Sequence, residues 1–181
     1  MLLHTDICEF GWKAPEFTLK TPDGTSHSSR EHQTDRGLLV MFICNHCPYV
    51  KAIADRLATD MDDLMDAGIG VLAVMSNDYR DYQADSPPNM AKFAAQHRFN
   101  FPYLIDEDQS VGRAFNALCT PDFFGFNGKG ELQYRGRLDD AGQGDAAGRT
   151  RELVDAMLAI AETGQGPRQQ TPSMGCSIKW T

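Results

Sequence analysis

The run Leu38-Leu39-Val40-Met41-Phe42-Ile43 constrains the fold more than any other stretch, because it is apolar at every position and leads directly into two thiols. Its β-branched and aromatic side chains suit a central strand covered on both faces. The run ends at Cys44-Asn45-His46-Cys47. From Pro48 the period changes: Val50, Ile53, Ala54, Leu57, Met61, Leu64 and Met65 recur at three- and four-residue steps, and Gly68 supplies a stop. That spacing predicts an amphipathic helix. A buried strand must therefore hand over to a helix across a Cys-x-x-Cys turn.

The flanking sequence repeats this alternation. Ala14 to Leu19, followed by Thr21-Pro22-Asp23-Gly24, reads as an opening β-hairpin. Ile69 to Met75 reads as a second buried strand, Ser86-Pro87-Pro88 as the start of a helix through Phe93 and Ala94, and Phe101 to Ile105 as a third strand. Asp106 with Gln109 resembles a capping box opening a helix to Leu118. Strands Asp122 to Phe126 and Glu131 to Arg137 flank the turn Asn127-Gly128-Lys129-Gly130. A last helix carries Leu153, Val154, Met157, Leu158 and Ala161 on one face. These units predict an α/β fold, a mixed β-sheet with helices on both faces and an N-terminal β-hairpin extension. Such sheets place their sites at the carboxyl ends of strands, where the two thiols fall.

With 181 residues, 41% of them hydrophobic, and no repeat or composition break, the chain reads as a single domain over 1–181, with tail 164–181 packed back on it. A net charge of −8 without a basic run argues against nucleic acid. The longest apolar run, Leu38 to Cys44, is far below the roughly 20 residues that cross a bilayer, and Met1 to Phe10 lacks the features of a secretory signal. The expectation is a cytoplasmic protein with neither a nucleic-acid nor a membrane partner. Five cysteines, an odd number, fit a reducing compartment.

A free thiol is mostly protonated at neutral pH, so a redox cysteine needs its anion stabilised. The predicted geometry places Cys44 just before the helix, near its unpaired N–H groups, with Cys47 one turn further in. On that placement Cys44 is the more exposed attacking sulfur and Cys47 the resolving one. His46, when protonated, adds a positive neighbour that favours the thiolate. Cys44, His46 and Cys47 are also ligand types for zinc or copper, which leaves a thiol-dependent metal carrier as an alternative, although no second Cys-x-x-Cys or His-x-x-x-His supplies further ligands.

In order along the chain, APEFTL, PDG, CNHCPYVK, FPYLIDED, CTPDFFGF-NGKG-ELQYRGRLDD and GCSIKW resemble the AhpC/TSA (redoxin) branch of the thioredoxin-like superfamily. The resemblance implies a thioredoxin-like fold and a cis bond at Thr120-Pro121 packed against the active-site sulfurs. Ile43 stands where thioredoxin carries tryptophan, and Asn45-His46 replace its Gly-Pro, the histidine resembling that of oxidases and isomerases of disulfides. Cys44 takes the place of the threonine in the peroxiredoxin TxxC, and Cys47 matches the peroxidatic cysteine. Strand 38–43 lacks the buried acid of thioredoxin, for which Asp139 and Asp140 are replacements only by loose analogy. The resulting expectation is a thiol-disulfide oxidoreductase that needs no bound cofactor. It would act on protein or small-molecule disulfides and thiols, with an upstream reductase, through Cys44, Cys47, His46, Thr120 and Pro121. The alternative enzyme is a thiol peroxidase attacking with Cys47. Cys119 would lie near the sulfurs, and Cys176 becomes a remote relay thiol if the tail folds back.

Overall fold

The computed structural model describes residues 1–181. Its centre is β4 (Leu38–Phe42), buried at all five positions. β4 runs parallel to β5 (Gly70–Met75), which runs parallel to β6 (Tyr103–Ile105). On its other side β4 pairs antiparallel with β8 (Asp122–Phe126), and β8 with β9 (Leu132–Tyr134). The hairpin of β2 (Thr18–Lys20) and β3 (Ser26–Ser28) joins β6, completing a seven-stranded sheet in the order β3-β2-β6-β5-β4-β8-β9. The mixed α/β architecture expected from the sequence is present.

The two-residue period of a strand sorts β4 between two cores. Leu39, Met41 and Ile43 pack with α2 (Pro48–Asp66) and α5 (Glu152–Thr163). Leu38, Val40 and Phe42 pack on the other face with Phe115, Phe124 and Phe126, where edge-on ring pairs lie 5.2 to 5.8 Å apart. Two short helices, α1 (Ser29–His32) and α4 (Ser110–Ala114), and the longer α3 (Pro87–His97) complete the layers. No helix is long and apolar enough to cross a membrane.

Three expected elements differ from the sequence reading. The helix expected over 106–118 is confined to α4, because Asp106 and Gln109 do not form a capping box. The Asp106 carboxylate instead accepts from the Val111 and Gly112 N–H groups at 3.2 and 2.8 Å, while Gln109 adopts a left-handed backbone, φ 62°, and donates to the Ser76 and Lys179 carbonyls. The strand expected to Arg137 stops at Tyr134, where the chain leaves β8 for the tail: Arg137 N–H donates to the Thr171 carbonyl at 2.9 Å. The opening hairpin begins at Thr18 rather than Ala14.

A second sheet was not foreseen. β10 (Met174–Ser177) lies between β1 (Leu2–His4) and β7 (Cys119–Thr120), antiparallel to both. Met174–Ser177 of the tail is thereby paired with β1 and β7. Gly175 permits the approach, since a Cβ there would lie 1.8 Å from the Thr120 carbonyl oxygen.

Candidate active site

Beyond Phe42 the chain makes one more sheet bond, Ile43 N–H to the Val74 carbonyl, before turning through Cys44, Asn45 and His46. α2 begins at Pro48, so Cys47 itself is the N-cap residue and Cys44 lies wholly in the preceding loop. The sequence reading put Cys44 just before the helix and Cys47 one turn further in; Cys47 instead lies at the N-cap, outside the first turn. No acidic side chain occupies the first turn, which leaves the positive end of the helix open to an anion at Cys47. Both sulfurs are sealed, with residue exposures of 1% at Cys44 and 0% at Cys47.

Thr120 bridges the two. Its hydroxyl lies 3.3 Å from the Cys44 sulfur, and its carbonyl oxygen 3.3 Å from the Cys47 sulfur. The Thr120-Pro121 bond is cis, as the resemblance implies. Pro121 continues into a cavity of about 410 Å³ lined also by Tyr49, Ile53, Leu138 and Met174.

The AhpC/TSA family matches over residues 10–135, a stretch that contains both sulfurs and Thr120-Pro121. The chain belongs to the AhpC/TSA family. Peroxiredoxin Bcp of Escherichia coli (strain K12) is 30% identical over 112 residues, 62% of this chain and 67% of that protein. An uncharacterized conserved protein from Geobacillus kaustophilus has a solved structure that superposes with a TM-score of 0.93 at 39% identity, covering 100% of this chain and 97% of its own. A thiol:disulfide interchange protein of the thioredoxin family from Chlorobium tepidum shares the fold at a TM-score of 0.64 and 17% identity, over 83% of this chain and 96% of its own.

The electrostatics of this AhpC/TSA site separate the two thiols. The Cys47 thiol is lowered, first by the hydrogen bond from Cys44 and then, against the cost of burial, by the Cys176 and Val50 N–H groups and the Thr120 hydroxyl. Cys44 is raised by its bond to Cys47, by burial and by the charge of Asp85. These directions favour ionisation at Cys47 over Cys44. The N-cap position of Cys47 and the directions of these shifts favour an anion there, whereas the sequence reading expects Cys44 to attack.

Asp85, unexposed in the 3-10 turn Gln83–Asp85, was missed by sequence reasoning. It accepts from the Asn45 N–H at 2.7 Å, from His46 Nδ1 at 2.5 Å and from Asn77 Nδ2 at 2.9 Å. Burial opposes its ionisation, but those bonds hold its carboxyl below the usual carboxylate range. His46 is thus directed to Asp85 and stacked 5.6 Å from Tyr82, so its positive charge, when present, is paired. Tyr103, also missed, donates to Asn45 Oδ1 at 2.9 Å and fixes the loop. Nothing in the local sequence distinguishes these residues from ordinary core and turn positions.

As for a metal, ligand atoms of Cys44, His46 and Asp85 lie within 4.8 Å of one another, a set that includes Asp85 and leaves out Cys47. Both Asp85 oxygens are already engaged by N–H donors. Asp139 does not act as a buried acid here: it pairs with Arg56 at 2.7 Å and Arg149 at 3.1 Å, and Asp140 accepts from the Thr150 N–H. Cys119 is sealed beside Pro121, its thiol pushed up to about 12 by burial and then by Asp122.

Proposed function

We propose that this protein is a thiol-disulfide oxidoreductase that cycles Cys44 and Cys47 between dithiol and disulfide, with Cys47 as the attacking sulfur. The observation that carries the reading is a pair of sealed sulfurs each 3.3 Å from an atom of Thr120, with Cys47 at the N-terminus of α2, whose first turn holds no acid. The Cys47 thiolate attacks a substrate disulfide, forming a mixed disulfide and expelling one substrate sulfur. Cys44 then attacks the Cys47 sulfur, its proton passes to the departing substrate thiolate, and a Cys44–Cys47 disulfide remains. An external thiol reductant restores the pair.

Thr120 aligns both sulfurs and Pro121 shapes the surface beside them, while His46 acts through Asp85 as a positioning residue. Protein or small-molecule disulfides are the substrates, and the whole of 1–181 works as one cytoplasmic domain with no bound cofactor and no nucleic-acid or membrane partner. Insulin reduction in the presence of dithiothreitol tests the reading: turnover is expected in the wild type and lost in Cys47→Ser. Cys44→Ser should instead accumulate mixed disulfides on Cys47. Adducts on Cys44 in the Cys47→Ser variant would reverse the assignment.

A second reading, reduction of peroxide, is favoured by the likeness to Peroxiredoxin Bcp. Cys47 would take one peroxide oxygen as a sulfenic acid, releasing water or alcohol, and Cys44 would expel water to close the same disulfide. Peroxide consumption with a sulfenic-acid label on Cys47, in a protein inactive on insulin, would select it.

A further inference from the structure

Cys44 and Cys47 are 1% and 0% exposed, so an external thiol must reach a bridge that solvent scarcely touches. A third sulfur lies beside them. Cys176 on β10 stands opposite Thr120, the residue that touches both buried sulfurs. Its side chain packs against the buried cluster that holds both Cys44 and Cys47. Unlike the pair, Cys176 is only half-buried. Gly175 draws the strand this close, because any side chain there would strike the Thr120 carbonyl oxygen.

We propose that Cys176 is a third redox thiol that carries the disulfide from the sealed pair towards the surface as a Cys47–Cys176 bridge. This rests on the thiol-disulfide reading above. The Cys176 sulfur attacks the Cys47 sulfur of the Cys44–Cys47 disulfide; the Cys47–Cys176 bond forms, the Cys44–Cys47 bond breaks, and the Cys176 proton ends on Cys44. The protein neither gains nor loses electrons in that step. A small-molecule thiol then attacks the Cys176 sulfur, forming a mixed disulfide with it and releasing Cys47 as a thiol; a second such thiol attacks the outer sulfur of that mixed disulfide, departs with it as the symmetrical disulfide, and its proton returns to Cys176.

The electrostatics favour this order. In the dithiol state burial, followed by the contact with Cys47, pushes the Cys176 thiol up, whereas Lys179 pulls it down. A Cys47 held in a disulfide carries no charge, so that opposition disappears when the relay is required. Cys119 has no comparable path, being unexposed and turned to the Pro121 carbonyl.

The test uses the full chain with Cys8→Ser and Cys119→Ser, to which Cys44→Ser is added, and one equivalent of the chromogenic disulfide dithiobis(nitrobenzoate). The expected result is about two thionitrobenzoates released per reagent consumed, with a Cys47–Cys176 bridged peptide in the non-reduced mass map. Adding Cys176→Ser should cut release to about one and leave the label on Cys47. Release of one in the Cys44→Ser protein, label retained and no bridged peptide, overturns the relay.

If Cys44→Ser does not fold, the chain that retains Cys44 is partly oxidised with oxidised glutathione: a Cys47–Cys176 peptide beside the Cys44–Cys47 one supports the relay, and its complete absence overturns it. A wild type that forms no Cys44–Cys47 disulfide and does not reduce insulin fails the underlying reading instead, a result distinct from failure of the relay alone.

Discussion

Two clusters of buried ionisable groups sit along α2, and they solve the same electrostatic problem in opposite ways. Midway along the helix, Asp60 is unexposed and accepts from Arg149 at 2.7 and 2.8 Å and from Arg151 at 2.7 and 3.0 Å. Arg149 also reaches Asp139, which Arg56 holds from the other side. Every buried carboxylate there faces a guanidinium. At the helix N-terminus, Asp85 accepts from the Asn45 N–H, His46 and Asn77, the Cys44 and Cys47 sulfurs meet the Thr120 hydroxyl and carbonyl, and none of these hydrogen bonds involves arginine or lysine. Compensated charge staples the 139–151 segment to α2. On the proposed function, charge left to dipoles and N–H donors stays chemically labile, and that distinction separates the proposed site from the staple better than burial does.

The strongest way to break the comparison is to remove the labile anion. Cys47→Ser should lower disulfide exchange on the order of a thousandfold, while the melting temperature changes little because serine fills nearly the same space. A variant that kept wild-type rates would place the chemistry elsewhere.

Next comes the staple. Asp60→Asn leaves Arg149 and Arg151 facing an uncharged amide and should cost about 3 kcal/mol, read as a fall in the denaturant midpoint. Exchange per folded molecule should stay near wild type. If instead activity fell with stability unchanged, the two clusters would not be separate in role.

The two clusters were unequally visible in sequence. Both sulfurs announced themselves, because an apolar strand, a Cys-x-x-Cys and a change to helical period occur in succession, and Pro121 followed from the family pattern. Asp85 gave no signal, since it meets the Asn45 N–H across 40 residues and stands in a turn where an acid is ordinary. Asp139 misled for the converse reason: its burial depends on Arg56 and Arg149, whose convergence on it is a property of the fold. β1 and β10 escaped notice because three or four residues each show no period, and only the pairing of β10 with β1 and β7 makes them strands.

A smaller effect should come from Asp85→Asn. The substitution keeps an oxygen for one N–H donor but removes the charge that raises Cys44. Cys44 should then ionise at lower pH, moving the alkaline limb of the exchange-rate profile downwards and changing the rate at neutral pH by about tenfold. An unshifted profile with reduced stability would make Asp85 a structural residue only.

The smallest predicted difference is in how acid and salt combine. Asp85 and Asp139 both have carboxyls held below the usual range, so both contribute stability above the unfolded value near 3.9, lost as pH falls through the lower folded value. The causes differ, since after burial His46, Asn77 and a backbone N–H lower Asp85, whereas Arg56 lowers Asp139. Arg56 and Arg149 retain side-chain exposures of 15% and 12%, so mobile ions can screen the staple from its outer side. Raising salt at pH 7 should therefore weaken the wild type by about 0.5 kcal/mol through the staple, and Asp60→Asn should lose most of that dependence. Asp85→Asn should keep the salt dependence while unfolding less steeply below pH 4. Denaturant midpoints over a salt-by-pH grid measure both, and a loss of salt dependence in Asp85→Asn would mean that the helix N-terminus relies on the same screened charges as the staple.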